Sequence, residues 1–137
     1  MPMNKPHIEF TPVDMKQGWH TPPGYPAGIK QKILASDLDE VKKRGSRTRL
    51  LKLEPGAYSS EPFVHDHWEE VYVVQGDLIV GNDQQGRGGE QSFAPTYACR
   101  PPGVQHGPFT SRGGCILHEI HYYATSGKGG ADAEKRQ

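Results

Sequence analysis

The chain has 137 residues, a length that suits one domain with a single hydrophobic core. Its 16 basic and 16 acidic residues cancel, so the composition indicates neither a nucleic-acid-binding protein nor a basic membrane-binding surface. The sequence has no run of about 18 apolar residues and no apolar secretory signal at its start. We therefore expect a cytoplasmic protein that spans no membrane and whose partners are a small-molecule substrate and a second copy of itself.

The composition is rich in turn-forming residues. There are 17 glycines and 12 prolines, and only 34% of the residues are hydrophobic. Many short strands joined by turns have this profile, whereas long helices do not. The sequence predicts an all-β protein of about eight to ten strands, in a small β-barrel or jelly roll.

The two ends of the chain differ from its middle. Six prolines fall within residues 1–28, which we interpret as an extended arm that packs on its own barrel or on a neighbouring copy in a homodimer. Residues 29–125 carry the strand patterns of the barrel. Residues 126–137 have little to bury and are predicted to be a disordered tail.

A His-x-His pair lies just before an apolar run in the middle of the chain. Side chains alternate between the faces of a strand, so His65, His67 and Glu69 share one face, while Glu70 shares the other with Trp68. Imidazole with carboxylate is a ligand set that zinc, iron, nickel and manganese accept. The alternative is a pair of surface histidines in a solvated loop.

A third histidine follows a rigid turn downstream. Pro101-Pro102-Gly103 stiffens the backbone, and two residues later His106 stands at the predicted start of a strand. The sequence thus offers a third imidazole for the same metal.

These segments resemble the two motifs of the cupin superfamily. The first motif has Gly, His-x-His, Glu and Gly in order, and matches Gly56 through His65 and His67 to Gly76; the second has Pro-x-Gly-x-x-His and matches residues 101–106. Two spacings differ from the family pattern: the gap between Gly56 and His65 is longer, and the gap after His67 is shorter. In addition, Thr110 stands in place of the family's Asn after the third histidine, and no glycine lies six residues before Pro101. Counting back from Gly76 selects Glu69 as the family's glutamate, whereas counting forward from His67 comes closer with Glu70.

The resemblance implies a cupin barrel with a divalent transition metal held by His65, His67 and His106. Glu69 would be a further ligand or would orient one. The short gap leaves open whether His67 faces the metal. Similar small cupins include Fe(II) dioxygenases that cleave diketones or hydroxyketones, so we expect a dioxygenase-like enzyme with a keto or enol substrate. The alternatives are a non-catalytic binding module and a redox-silent isomerase, lyase or cyclase with Zn, Mn or Ni.

Aromatic residues near the motifs are candidates for an apolar substrate wall, although each also suits an ordinary core. They are Trp68, Tyr72, Phe93 and Tyr97.

Two further patterns concern a turn and a strand outside the motifs. Gly76-Asp77 is a hairpin-type turn signal between residues 71–74 and 78–80. In the last predicted strand, His118 and His121 lie on opposite faces, and the alternation does not decide which face is inward; one of them would line a cavity, and the alternative is a cross-strand pair on the surface.

Overall fold

The computed structural model describes residues 4–124 and has only strands, turns and loops within them. The expected all-β class is thus confirmed. None of these residues forms a helix with the length and apolarity needed to cross a bilayer. The predicted tail, residues 126–137, lies outside the described range. The strands are β1 Ile29–Ser36, β2 Ser46–Leu53, β3 Phe63–Val64, β4 Trp68–Val80, β5 Glu90–Phe93, β6 Thr96–Arg100, β7 Gln105–His106, β8 Phe109–Thr110 and β9 Cys115–Tyr122.

Strand β4 is the centre of the architecture. All strand pairs are antiparallel, and the main sheet runs in the order β1-β2-β9-β4-β5. Strands β6 and β8 also pair with β4, and β3 pairs with β7 in a separate two-stranded sheet. Because β4 is 13 residues long, its first half contacts β9 and β6 and its second half contacts β5 and β8.

The core lies on one face of β2, β4 and β9, where buried positions alternate with more exposed ones. The buried face of β9 is apolar at one end and polar at the other, so the same surface continues from the core into a polar cluster. The core residues are Ile29, Leu51, Leu53, Val71, Val73, Leu78, Cys115 and Leu117.

The expected hairpin at Gly76-Asp77 is wrong, because β4 runs through both residues. The register against β9 shifts between Val73 and Gln75, which marks a bulge. Gly76 follows it at a φ of 87°, and a Cβ there would meet Gly114 O at 2.1 Å. The glycine thus permits a bend and a close approach to the turn before β9, rather than a reversal.

Asp77 ties the turn between β8 and β9 to β4. Its carboxylate accepts hydrogen bonds from the backbone N–H groups of Arg112 and Gly113, both at 2.9 Å, and from Ser111 Oγ at 3.0 Å. Burial raises the pKa of this carboxyl, but these donors outweigh it and lower the pKa to about 2. The turn therefore depends on a charged aspartate.

The proline-rich arm runs over the barrel through residues 4–28. The ammonium groups of Lys32 and Lys52 lie over the ring of Trp19, 5.7 and 4.7 Å from the ring centroid. Tyr25 stacks on Phe63 with ring centroids 4.6 Å apart. The arm thus packs on its own barrel and brings one aromatic ring, Tyr25, against Phe63, two residues before His65.

Candidate metal centre

Strand pairing brings the two sequence motifs together. His65 and His67 lie in the short connection between β3 and β4, and Glu69 follows inside β4. Strands β3 and β7 pair with Phe63 opposite His106. Gln105 is likewise opposite Val64. This pairing places His106 beside the His-x-His pair, although 38 residues lie between His67 and His106 in the sequence.

His65 and His67 face the same site. Their rings stack with centroids 4.5 Å apart, and the ring of His65 meets that of His106 edge-on at 5.2 Å. His67 Nδ1 lies 3.1 Å from the carbonyl oxygen of Trp68, which can only accept, so Nδ1 carries the proton. The Nε2 lone pair of His67 is left for a metal or another donor.

Glu69 and His106 form a buried pair. Glu69 Oε2 lies 2.8 Å from His106 Nδ1, and the two side chains are 5% and 2% exposed. Because the carboxylate accepts, Nδ1 donates the proton. Within residues 4–124, His106 Nε2 is buried and has no hydrogen-bond partner. An unpartnered buried nitrogen costs about 1–3 kcal/mol and needs an explanation.

The electrostatics favour a ready ligand set. Burial, with the nearby His67, lowers the pKa of His65 to about 4, so this imidazole is neutral at pH 7. Burial and His121 likewise lower the pKa of His67. Although burial raises the pKa of Glu69, hydrogen bonds from His106 and His121 lower it well below its usual range. Neutral imidazoles beside an ionised carboxylate are the protonation states that bind a cation.

Two groups of side chains among residues 4–124 bring one ligand atom each within 4.8 Å of one another. The first is His65, Glu69 and His106. The second shares Glu69 and adds Glu119 and His121. His67 belongs to neither group, but its ring lies 4.5 Å from that of His65.

The second group is less suited to a cation. Arg49 Nη2 lies 2.8 Å from Glu119 Oε1, and both side chains are buried, so a guanidinium already neutralises that carboxylate. His121 Nδ1 lies 2.9 Å from Arg47 Nη2. A metal there would meet two arginines, whereas the first group has one, Arg100, at 3.4 Å from Glu69 Oε2, and also a bare imidazole nitrogen on His106. The donor chemistry and the unpartnered Nε2 of His106 therefore fit a divalent metal at the first group.

The two acidic residues after His67 point in opposite directions. Glu69 is 4% exposed and lies in the cluster. Glu70 lies on the other face of β4, where its carboxylate accepts hydrogen bonds from the hydroxyl groups of Tyr97 and Tyr122. The geometry brings Glu69, and not Glu70, to the histidines.

The aromatic residues expected to form a substrate wall are not brought to the cluster. Tyr72, Phe93 and Tyr97 are 45%, 64% and 57% exposed. Trp68 alternates with the buried face of β4, and its ring stacks on that of Tyr122 at 6.3 Å. Trp68 and Tyr72 face away from the histidines because inward positions of β4 have the opposite parity, whereas Phe93 lies in the fully exposed strand β5 and Tyr97 on the exposed face of β6.

A different set of aromatic rings lies beside His65. Phe63 is 4.6 Å from Tyr25, 6.0 Å from Phe109 and 6.3 Å from His65, measured between ring centroids and with near-parallel planes. A cavity of about 540 Å³ opens next to His65 and His67. Its other lining residues are Glu40, Val64, Asp66, Pro102 and Gly103.

His121 is the main residue of the cluster that the motifs did not identify. It is 1% exposed, and its Nε2 lies 2.7 Å from Glu69 Oε1. The other histidine of this strand, His118, lies on the opposite face of β9. In the sequence, only the alternation of side chains along β9 pointed to His121, and this alternation did not show whether His121 or His118 faces the interior.

Solved cupin structures share this fold at low sequence identity. An acetylacetone dioxygenase from Acinetobacter johnsonii is 20% identical, with a TM-score of 0.61 over 92% of this chain and 85% of that one. An RmlC-like cupin from Shewanella frigidimarina is 21% identical, with a TM-score of 0.60 over 87% and 95%. The polyketide cyclase RemF from Streptomyces resistomycificus is 16% identical, with a TM-score of 0.59 over 93% and 94%.

Sequence similarity to families gives the same result. No curated protein matches the chain. The family model described as the ChrR Cupin-like domain matches residues 13–124, which include both motifs and every residue of the cluster. The resemblance seen in the motifs is thereby confirmed: the chain belongs to the cupin superfamily, in the family of ChrR cupin-like domains.

Proposed function

We propose that this cupin is a non-haem Fe(II) dioxygenase that acts on a small keto or enol compound. The observation that carries the proposal is the convergence of three imidazoles with a buried, unpartnered Nε2 on His106. His65, His67 and His106 would hold the metal, and Glu69 would orient His106. When bound, Fe(II) would bring O₂ and an enolised substrate together.

The chain's own residues have separable tasks in this scheme. Glu69 accepts the Nδ1 proton of His106 and so directs Nε2 towards the site. The cavity of about 540 Å³ beside His65 and His67 is of a size that suits a small organic molecule. Phe63 is stacked between Tyr25 and Phe109 and lies beside His65, so these rings would form an apolar wall next to the metal.

A redox-silent enzyme is the second candidate, because the polyketide cyclase RemF shares the fold and imidazole ligands also suit zinc. The identity of the metal separates the two. Dioxygenase chemistry needs a redox-active metal, whereas a cyclase, isomerase or lyase works with Zn. A filled site without turnover would indicate a binding module.

Oxygen uptake tests the proposal directly. Metal-free protein is loaded with Fe(II) or with Zn(II) under anaerobic conditions, mixed with acetylacetone or another small diketone, and exposed to O₂. We expect substrate-dependent O₂ consumption by the iron form alone, its loss in His106→Ala, and its retention in the control His118→Ala, whose ring lies on the other face of β9. An iron-loaded protein that consumes no O₂ with a panel of diketones and hydroxyketones would refute the dioxygenase.

A further inference from the structure

Four side chains form a row across four neighbouring strands. In the strand register Arg47 of β2 stands opposite His121 of β9, His121 stands opposite Glu69 of β4, and Glu69 stands opposite Arg100 of β6. Directly opposed residues of antiparallel strands share one face of the sheet. The row thus leads from the barrel wall to Glu69, the carboxylate beside His106.

Arg47 fixes the proton of His121. Its Nε and Nη2 atoms lie 3.1 and 2.9 Å from His121 Nδ1. A guanidinium has donors and no acceptor, so Nδ1 must accept and the ring proton resides on Nε2. That Nε2–H group donates to Glu69 Oε1 at 2.7 Å.

The same contacts exclude His121 from the ligand set. A histidine that binds a metal through one nitrogen donates the N–H of its other nitrogen to a carboxylate, carbonyl or water. His121 Nδ1 faces donors from Arg47 and has no acceptor to receive such a proton. His67 and His106 show the arrangement expected of ligands, since their Nδ1 atoms donate to Trp68 O and to Glu69.

We propose that His121, held by Arg47, is a positioning residue that fixes the Glu69 carboxylate and through it the metal-facing nitrogen of His106. The two oxygens of Glu69 have different partners: Oε1 accepts from His121, and Oε2 accepts from His106, with Arg100 Nη1 3.4 Å from the same oxygen. With both oxygens engaged, the buried carboxylate cannot rotate away from His106. This inference rests on the proposed metal site.

Three variants separate positioning from ligation. His121→Phe removes the donor, His121→Gln offers an amide N–H in its place, and His118→Phe is a matched control on the outer face of the same strand. We expect His121→Phe to weaken Co(II) binding by about 10–100-fold, as loss of an orienting partner typically does. The Gln variant should recover most of the affinity, and the control should bind like the wild type.

Pulsed EPR of the Cu(II)-loaded proteins counts the coordinated imidazoles. The wild type and His121→Phe should show the same number, because His121 is not a ligand. A lower number in His121→Phe would make it a ligand and overturn the proposal. Unchanged Co(II) affinity in His121→Phe would also overturn it.

The proton position is measured without any metal. Nitrogen-15 NMR of the histidine rings in the metal-free protein at pH 8 should show His121 with Nε2 protonated and Nδ1 bare, and Arg47→Met should abolish this preference. A proton on His121 Nδ1 in the wild type would refute the inference. If the protein bound no metal but retained this tautomer, the proposed function would fail while the role of Arg47 and His121 in holding Glu69 would stand.

Discussion

Arg49 and Glu119 form an ion pair inside the barrel whose removal should be costly. The two residues are 3% and 4% exposed, and Arg49 Nε and Nη2 both lie 2.8 Å from Glu119 Oε1. Arg49 Nη1 also donates to Gln31 Oε1 at 2.8 Å. Burial raises the pKa of Glu119, but the Arg49 charge together with the hydrogen bond and charge of His121 lowers it by more, so the net shift is downward and the pair is ionised.

Replacing Arg49 by Met leaves the Glu119 carboxylate buried and uncompensated. Breaking a buried pair from one side costs about 3–5 kcal/mol, whereas replacing both partners by apolar residues of similar volume is often close to neutral. We therefore expect Arg49→Met to lose about 3–5 kcal/mol of unfolding free energy, equivalent to a fall in Tm of about 10–20 °C. The double variant Arg49→Met/Glu119→Met should recover most of that loss.

Urea unfolding of the metal-free proteins at pH 7 measures these differences. Arg112→Met is a suitable control, because this arginine is exposed at the β8–β9 turn and should change stability by less than about 0.5 kcal/mol. The reasoning is refuted if Arg49→Met loses less than about 1 kcal/mol of unfolding free energy. It is also refuted if the double variant loses as much as the single variants Arg49→Met and Glu119→Met lose together.

Three further predictions concern other parts of the barrel. Asp77→Asn should lower the unfolding free energy by on the order of 1–2 kcal/mol at pH 7. The folded pKa of Asp77, about 2, lies below the ordinary value of 3.8, so the difference between variant and wild type should shrink as pH falls from 4 to 2. A difference in Tm that does not change with pH would contradict this. Gly76→Ala should cost at least about 2 kcal/mol, because its Cβ would overlap the carbonyl oxygen of Gly114, while Gly24→Ala, at a similar φ in open space, should cost less in the same unfolding assay. The homodimer expected from the sequence would use the arm, whose Phe10 side chain is fully exposed in one copy; Phe10→Glu should then convert dimer to monomer in analytical ultracentrifugation, and an unchanged dimer mass would exclude this contact.

Strand parity explains why much of the site was predictable. His65, His67 and Glu69 were placed on one face from the period of an extended chain, and the structure brings all three to one cluster. The Pro-Pro-Gly turn predicted a fixed position for His106, and the pairing of β3 with β7 gives it one. Local backbone rules were sufficient for these residues because each motif is only a few residues long.

The residues that were missed depend on long-range contacts. Both faces of β9 carry apolar side chains, Cys115 and Leu117 on one and Ile116 and Ile120 on the other, so alternation could not select the face of His121. The contacts that enclose it come from side chains of β2 and β4, the two strands that pair with β9. Pairing of distant strands is not encoded in a local pattern.

The expected aromatic wall shows the same limit. Tyr72, with Phe93 and Tyr97, was chosen for apolar volume near the motifs, but its position in β4 has the parity of the exposed face. Tyr25, which does approach the site by stacking on Phe63, comes from a proline-rich arm without a strand pattern. Proximity in the sequence did not reveal which rings share the interior.

Metal content tests the central claim most directly. The wild type, His106→Ala and the control His118→Ala are purified without oxygen, reconstituted with Fe(II), freed of loosely bound ions and analysed for iron. We predict about one iron per chain in the wild type and in the control, and only traces in His106→Ala, because the buried Nε2 of His106 is the nitrogen that the metal completes. Traces in all three proteins, or full iron content in His106→Ala, would contradict the account.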